Sequence, residues 1–127
     1  MEYAETIVTE VLSRTQLEED LGSLIDRCAR LGVEEVEVLF GFAWGAEHRD
    51  WQTVTMPPSD LPEEVRVAEA TTSGALGADD LWIESREAWR VQYCHEGDIH
   101  ISYNEESPFV RDHVADWRTK GWLPSGG

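Results

Sequence analysis

Three short apolar segments, Leu81–Glu84, Ala88–His95 and Ile99–Asn104, follow one another with only three residues between each pair. That spacing constrains this chain more than any other feature. Connections so short join antiparallel neighbours, because a parallel crossover needs a dozen residues or more. The spacing therefore predicts an antiparallel meander. For the last two segments the loop is Glu96-Gly97-Asp98. An odd loop places Tyr93 opposite Ile101 and Val91 opposite Tyr103 on a shared apolar face, with Cys94 opposite His100 on the other. A two-residue loop would set Tyr93 against His100 and Val91 against Ser102, which matches apolar with polar.

Helices are expected at both ends of this strand-rich region. Thr15-Gln16-Leu17-Glu18 reads as a capping box. Leu17, Leu21, Leu24, Cys28 and Leu31 then form one stripe at helical spacing, ended by Gly32. A helix over about 16–31 follows, with Glu19, Asp26 and Arg30 on its wet face. Ser107-Pro108 opens a second helix over about 108–120, with Val110, Val114 and Trp117 inward. Gly121 closes it, Trp122 folds back, and Arg118 and Lys120 sit where cations oppose the helix dipole.

Before the first helix, Thr6–Ser13 reads as a first strand. Val33–Trp44 alternates with period two and reads as a strand entering the core. Gly45–Asp50 reads as a turn and Trp51–Met56 as a returning strand. The prolines of Met56–Pro62 exclude a central strand. Glu64–Ala70 is a strand candidate and Thr71–Asp80 a connection of small residues. The whole is one α+β domain over 1–127: a mostly antiparallel sheet of about five to six strands with a helix toward each end.

The chain carries 26 acidic against 10 basic residues, a formal net charge of −16. Such a surface repels nucleic acid and anionic membranes, both of which recruit Lys and Arg. The acidic N-terminus is unlike a secretory leader, and no apolar run is long enough to span a bilayer. Two cysteines make no disulfide framework, so a cytoplasmic protein with free thiols is expected.

No catalytic signature emerges, and neither enzymatic activity nor a cofactor is expected. Cys94-His95 with His100 has the spacing C-H-x4-H, which matches no zinc-ligand pattern, so a cross-strand pair is expected rather than a metal site. A Cys94 nucleophile with His95 or His100 as base would lack an oxyanion loop, and acidic neighbours oppose thiol activation. Gly41 and Gly45 belong to no phosphate-binding motif. Trp44, Trp89 and Trp117 fall on apolar faces. Trp51, Trp82 and Trp122 fall near turns, where an amphipathic ring can serve a binding surface.

The capped helix, strand-rich middle and final helix followed by Gly121-Trp122-Leu123-Pro124 resemble bacterial polymorphic-toxin immunity proteins, loosely those that neutralise deaminase toxins. No position is carried over residue by residue. The resemblance implies a protein-binding inhibitor that occludes the basic active site of a cognate toxin. Acidic charge without an active-site signature points the same way, since charge complementarity speeds association with a basic partner. Two other classes remain open: a DNA-mimic inhibitor of the anti-restriction or anti-CRISPR kind, and a small ligand-binding or enzymatic domain. For the partner surface the turns are the expected source. Asp79, Asp80, Glu96 and Asp98 would steer around Trp82 as the anchor. Asp50 and Trp51 form a second group, and the Glu34-Glu35-Glu37 edge is the next candidate.

Overall fold

The computed structural model describes residues 3–86 and 88–124. Strands are β1 (Glu5–Val8), β2 (Val36–Phe40), β3 (Val54–Met56), β4 (Leu81–Ser85), β5 (Trp89–Tyr93) and β6 (Ile99–Tyr103). Helices are α1 (Arg14–Arg30), α2 (Phe42–Glu47), α3 (Leu61–Thr71) and α4 (Pro108–Lys120), with 3₁₀ turns at Arg49–Trp51 and Pro58–Asp60. The strands form one six-stranded sheet in the order β1-β6-β5-β4-β2-β3. Every neighbouring pair is antiparallel, so the α+β class expected from the sequence is the class observed. No helix among the described residues is long and apolar enough to cross a membrane.

The meander is present, with its last register shifted by two residues. Tyr93 faces Ile99, Val91 faces Ile101 and Trp89 faces Tyr103. The hairpin closes one residue earlier than expected, around residues 95–97: the Cys94 N–H donates to the Asp98 carbonyl and the Gly97 N–H to the Cys94 carbonyl. Gly97 takes φ 90°, which its lack of Cβ permits. A shift of two leaves each side chain on the same face, so hydrophobic matching alone does not separate the two registers. It does change the partners. His100 lies opposite Gln92 rather than Cys94, and Cys94 falls beside Asp98.

Helix α1 starts two residues earlier than expected. Ser13, not Thr15, is the N-cap: its hydroxyl accepts from the Gln16 N–H at 3.2 Å, and Gln16 Oε1 accepts from the Ser13 N–H at 2.8 Å. Both tetrads fit the capping-box pattern. The one used lies just beyond residues 9–12, which the Thr9 N–H to Ile99 and Leu12 N–H to Gly97 bonds fasten beside β6. That irregular stretch also stops β1 at Val8 instead of Ser13.

Two segments adopt a different state from the expected one. Residues 42–47 are helix α2 rather than the end of a strand followed by a turn. The chain reverses there so sharply that a Cβ on Gly45 would sit 2.3 Å from the Phe40 carbonyl oxygen. The returning strand shortens accordingly to β3. Residues 61–71 form α3 rather than a strand, with Leu61, Val65 and Ala68 buried at i, i+4 and i+7. The prolines that exclude a strand here start a helix, with Pro62 in its first turn and Glu63 and Glu64 near its positive end.

All four helices feed one core against a single face of the sheet. Val38, Phe40, Leu81, Ile83, Val91, Tyr93, Ile99 and Ile101 are almost wholly buried there, with Leu17, Leu24, Trp44, Leu61, Val110 and Trp117 from the helices. Trp89 stacks on Phe109 of α4, centroids 3.9 Å apart and planes 7° from parallel. Within this core lies a buried polar network. Asp20 of α1 accepts from Tyr93 Oη and Trp117 Nε1, each at 2.7 Å, and from His113 Nε2 at 3.2 Å. Arg27 turns inward onto His113 Nδ1. A guanidinium only donates, so Nδ1 accepts and the ring proton sits on Nε2, facing Asp20.

Candidate functional site on the uncovered sheet face

Because the helices cover one face only, every second residue of the sheet points away from the core. The register sets these residues in rows across the strands. One row runs Thr55, Glu37, Glu84, Arg90, Ser102 and Thr6. The next runs Leu39, Trp82, Gln92, His100 and Val8. Beyond the strand ends a third row brings Asp80, Cys94 and Asp98 together.

Trp82 lies at the centre. Its ring occupies the space a side chain at Gly41 would fill, since a Cβ there would come within 2.4 Å of the ring. Glycine at 41 is thus what leaves room for the indole at the end of β2. Glu84 is tied to Arg90 at 3.1 Å and to the Tyr3 hydroxyl at 2.7 Å, which lays the N-terminal segment over one corner of the face. Glu37 makes no ion pair or side-chain hydrogen bond among the described residues. A shallow depression of about 160 Å³ lies between Glu37, Leu39, Thr53, Trp82, Glu84 and Arg90.

Of the residues singled out from the sequence, Asp80, Trp82 and Asp98 share this face, and Glu96 projects from the β5–β6 turn beside it. The two adjacent acids are committed internally, however. Asp79 is buried and accepts from the Ala75 N–H; Asp80 is buried and accepts from the His95 N–H at 2.8 Å and from Gln92. Reversing Asp80 would therefore disturb the fold as well as any association. Sequence reasoning passed over Leu39, Gln92, Arg90 and Val8, whose phase along their strands marks them once the covered face is known. Trp122 is buried and closes the last turn of α4, its N–H donating to the Trp117 carbonyl.

Cys94 has none of the character of an activated nucleophile. Burial, with Asp98 and Asp80 nearby, pushes its thiol up to about 11, so it is protonated at neutral pH. Cys28 in the core is likewise pushed up to about 11 by burial.

Asp50 and Trp51 stand apart, in a turn where Arg49, Asp50 and Trp51 all take the left-handed conformation (φ 67°, 48° and 58°). Glu64 holds it from below, bound by Arg49 at 2.6 and 2.9 Å and by His48 at 2.8 Å. These bonds hold the Glu64 carboxyl below the usual range, Arg49's foremost. Trp51 is left 51% exposed. Left-handed backbone costs an L-residue roughly 1–2 kcal/mol. Asp50→Gly is accordingly expected to leave stability unchanged or raise it by up to about 1 kcal/mol, while Asp50→Val, β-branched, lowers it by about 1–2 kcal/mol. Urea midpoints of the two variants check this.

A second concavity, a groove of about 370 Å³ between α1 and α3, is floored by Leu21, Ile25, Val65 and Leu76. Its rim polar groups are already paired, Arg14 with Glu69 at 2.6 Å. No protein family, curated protein or solved structure matches this chain.

Proposed function

We propose that this protein is an acidic protein-binding inhibitor of the immunity type, which docks the uncovered face of its sheet on a basic partner. The observation that carries this reading is the face itself: a central half-buried Trp82 with Leu39, bordered by Glu37 and Asp98, on a chain of net charge −16. An indole ringed by polar groups is the usual form of an interface anchor, and rim charges set the rate of encounter. Much of the basic side chain is already spent at home. Arg14, Arg49, Arg66, Arg90 and Lys120 each contact a carboxylate of this same chain. The exposed Glu34 and Glu35 continue the negative field into the segment just before β2, an interior strand between β4 and β3.

Co-expression with the product of the neighbouring gene tests the reading: a complex and rescue of growth are expected. Absence of both would sink it. Within such a complex, Trp82→Ala is expected to weaken binding by about 30-fold or more, the scale of a hot-spot residue. Glu37→Lys is expected to slow association at low salt and to have less effect at high salt, where charges are screened. Both side chains lie off the core, so thermal melting of the free variants should stay close to that of the parent.

A further inference from the structure

The third row of the uncovered face gathers more chemistry than a binding rim requires. Sγ of Cys94, a carboxylate oxygen of Asp98 and a ring nitrogen of His100 all lie within 4.8 Å of one another. His100 Nε2 and Asp98 Oδ1 are 3.1 Å apart. The same sulfur also has His95 Nδ1 at 3.7 Å and Asp80 nearby. Zinc bonds of about 2.0–2.3 Å to oxygen, nitrogen and sulfur place tetrahedral ligand atoms roughly 3.3–3.7 Å apart. Shifts of an ångström or less would bring this trio to that spacing.

We propose that Cys94, Asp98 and His100 form a site for a thiophilic divalent cation, zinc, with the fourth position open to solvent on the uncovered face. The two triads around Cys94 are not equivalent. Asp80 Oδ1 already accepts from the His95 backbone N–H, from Gln92 and from His95 Nδ1, which fixes that pair as a support behind the sulfur. Asp98 and His100 side chains bond to each other, from adjacent positions on one face of β6 and its turn, and reach the surface. A sulfur, a nitrogen and a single carboxylate suit zinc; magnesium and calcium prefer an all-oxygen shell.

Binding breaks the S–H bond and forms an S–Zn bond, and the proton leaves to buffer. Cysteine ligates zinc as the thiolate and a thiol is ordinarily protonated at neutral pH, so close to one proton is released per zinc. The site does not depend on the partner reading, since it needs only this chain.

The test titrates the purified reduced protein with zinc chloride by calorimetry in two buffers of different ionisation heat, and with cobalt chloride by absorbance. Expected are one equivalent bound, release of about one proton, and a thiolate-to-cobalt band in the near ultraviolet. Cys94→Ser should abolish the band. Loss of a direct ligand in His100→Ala should weaken zinc at least 100-fold, beyond the 10–100-fold typical of outer-shell changes, and His95→Ala by less than that. Parental circular dichroism in His100→Ala separates ligand loss from unfolding. No saturable binding, a band that survives Cys94→Ser, or binding that His95→Ala abolishes and His100→Ala spares would each overturn the proposal.

Discussion

Asp20→Ala is expected to remove about 3–5 kcal/mol of stability, the scale for breaking a buried charged network from one side. The carboxylate is fully buried and meets three donors from two elements: Tyr93 of β5, and His113 and Trp117 of α4. Removing it leaves these three donors without their acceptor. Since folding stability of a domain totals only about 5–15 kcal/mol, this variant should be close to unfolding at moderate temperature. Asp20→Asn keeps the shape but turns an NH₂ toward donors, and a loss of about 1–3 kcal/mol is expected. The same network sets an acid limb. Burial alone would raise the Asp20 carboxyl, but His113 and the Trp117 and Tyr93 hydrogen bonds outweigh it and hold it below its ordinary value. Its contribution is therefore complete above about pH 4 and is lost as pH falls through the lower folded-state value. Urea midpoints from neutral pH down to pH 3 should fall less steeply in Asp20→Asn than in the parent. An unchanged acid limb would show that Asp20 does not govern it.

Trp44→Ala is expected to cost a further large share, about 3–5 kcal/mol for a buried indole. Trp44 is wholly enclosed, meets Phe40 edge-on at 4.8 Å, and donates from Nε1 to the Asp80 carbonyl at 2.8 Å. It also backs the loop before β4: a Cβ on Gly74 would lie 2.4 Å from Trp44 Cβ. Its loss thus loosens α2 and the approach to Asp80 together. Trp44→Phe keeps much of the packing. The Asp80 carbonyl retains the Gly41 N–H at 2.8 Å, so a loss of only about 1–2 kcal/mol is expected. Chemical denaturation of both variants measures the difference, and hydrogen exchange of the Gly41 amide should quicken in Trp44→Ala first. Equal losses in the two would mean that packing around the ring contributes little.

The buried network left a trace in the sequence. Asp20 sits among Leu17, Leu21 and Leu24 on the apolar stripe of α1, and His113 between Val110 and Trp117 on that of α4. A charged residue in the buried phase of one helix, matched by a histidine in the buried phase of another, is a signal that periodicity alone can supply. Which side chains would meet there is not, because Tyr93 arrives from β5. The uncovered face was half legible in the same sense. Trp82 stood out as off the apolar phase, yet Leu39 and Val8 look like core residues until the helices are known to occupy the other side.

Local patterns by themselves determined the antiparallel meander, the apolar stripe of α1 from Leu17 to Cys28 (Leu31, expected to continue it, is the exposed C-cap), that of α4, and the Ser107-Pro108 start and Gly121 stop of the last helix. Each depends on interactions spanning a few residues: caps, turns and the 3.6 or 2.0 period of side chains. Tertiary structure decided the rest. Residues 42–47 and 61–71 became helices because Gly45 against Phe40 and the proline-led start of α3 fit a reversing chain covered by one core. The β5–β6 register settled two residues away because a shift of two preserves the apolar face, leaving the tight Cys94–Asp98 closure to choose. That choice, made by backbone hydrogen bonds rather than hydrophobic matching, is what set Cys94 beside Asp98 and His100 beside Gln92. Long-range pairing fixes such neighbours, and no local spacing encodes it.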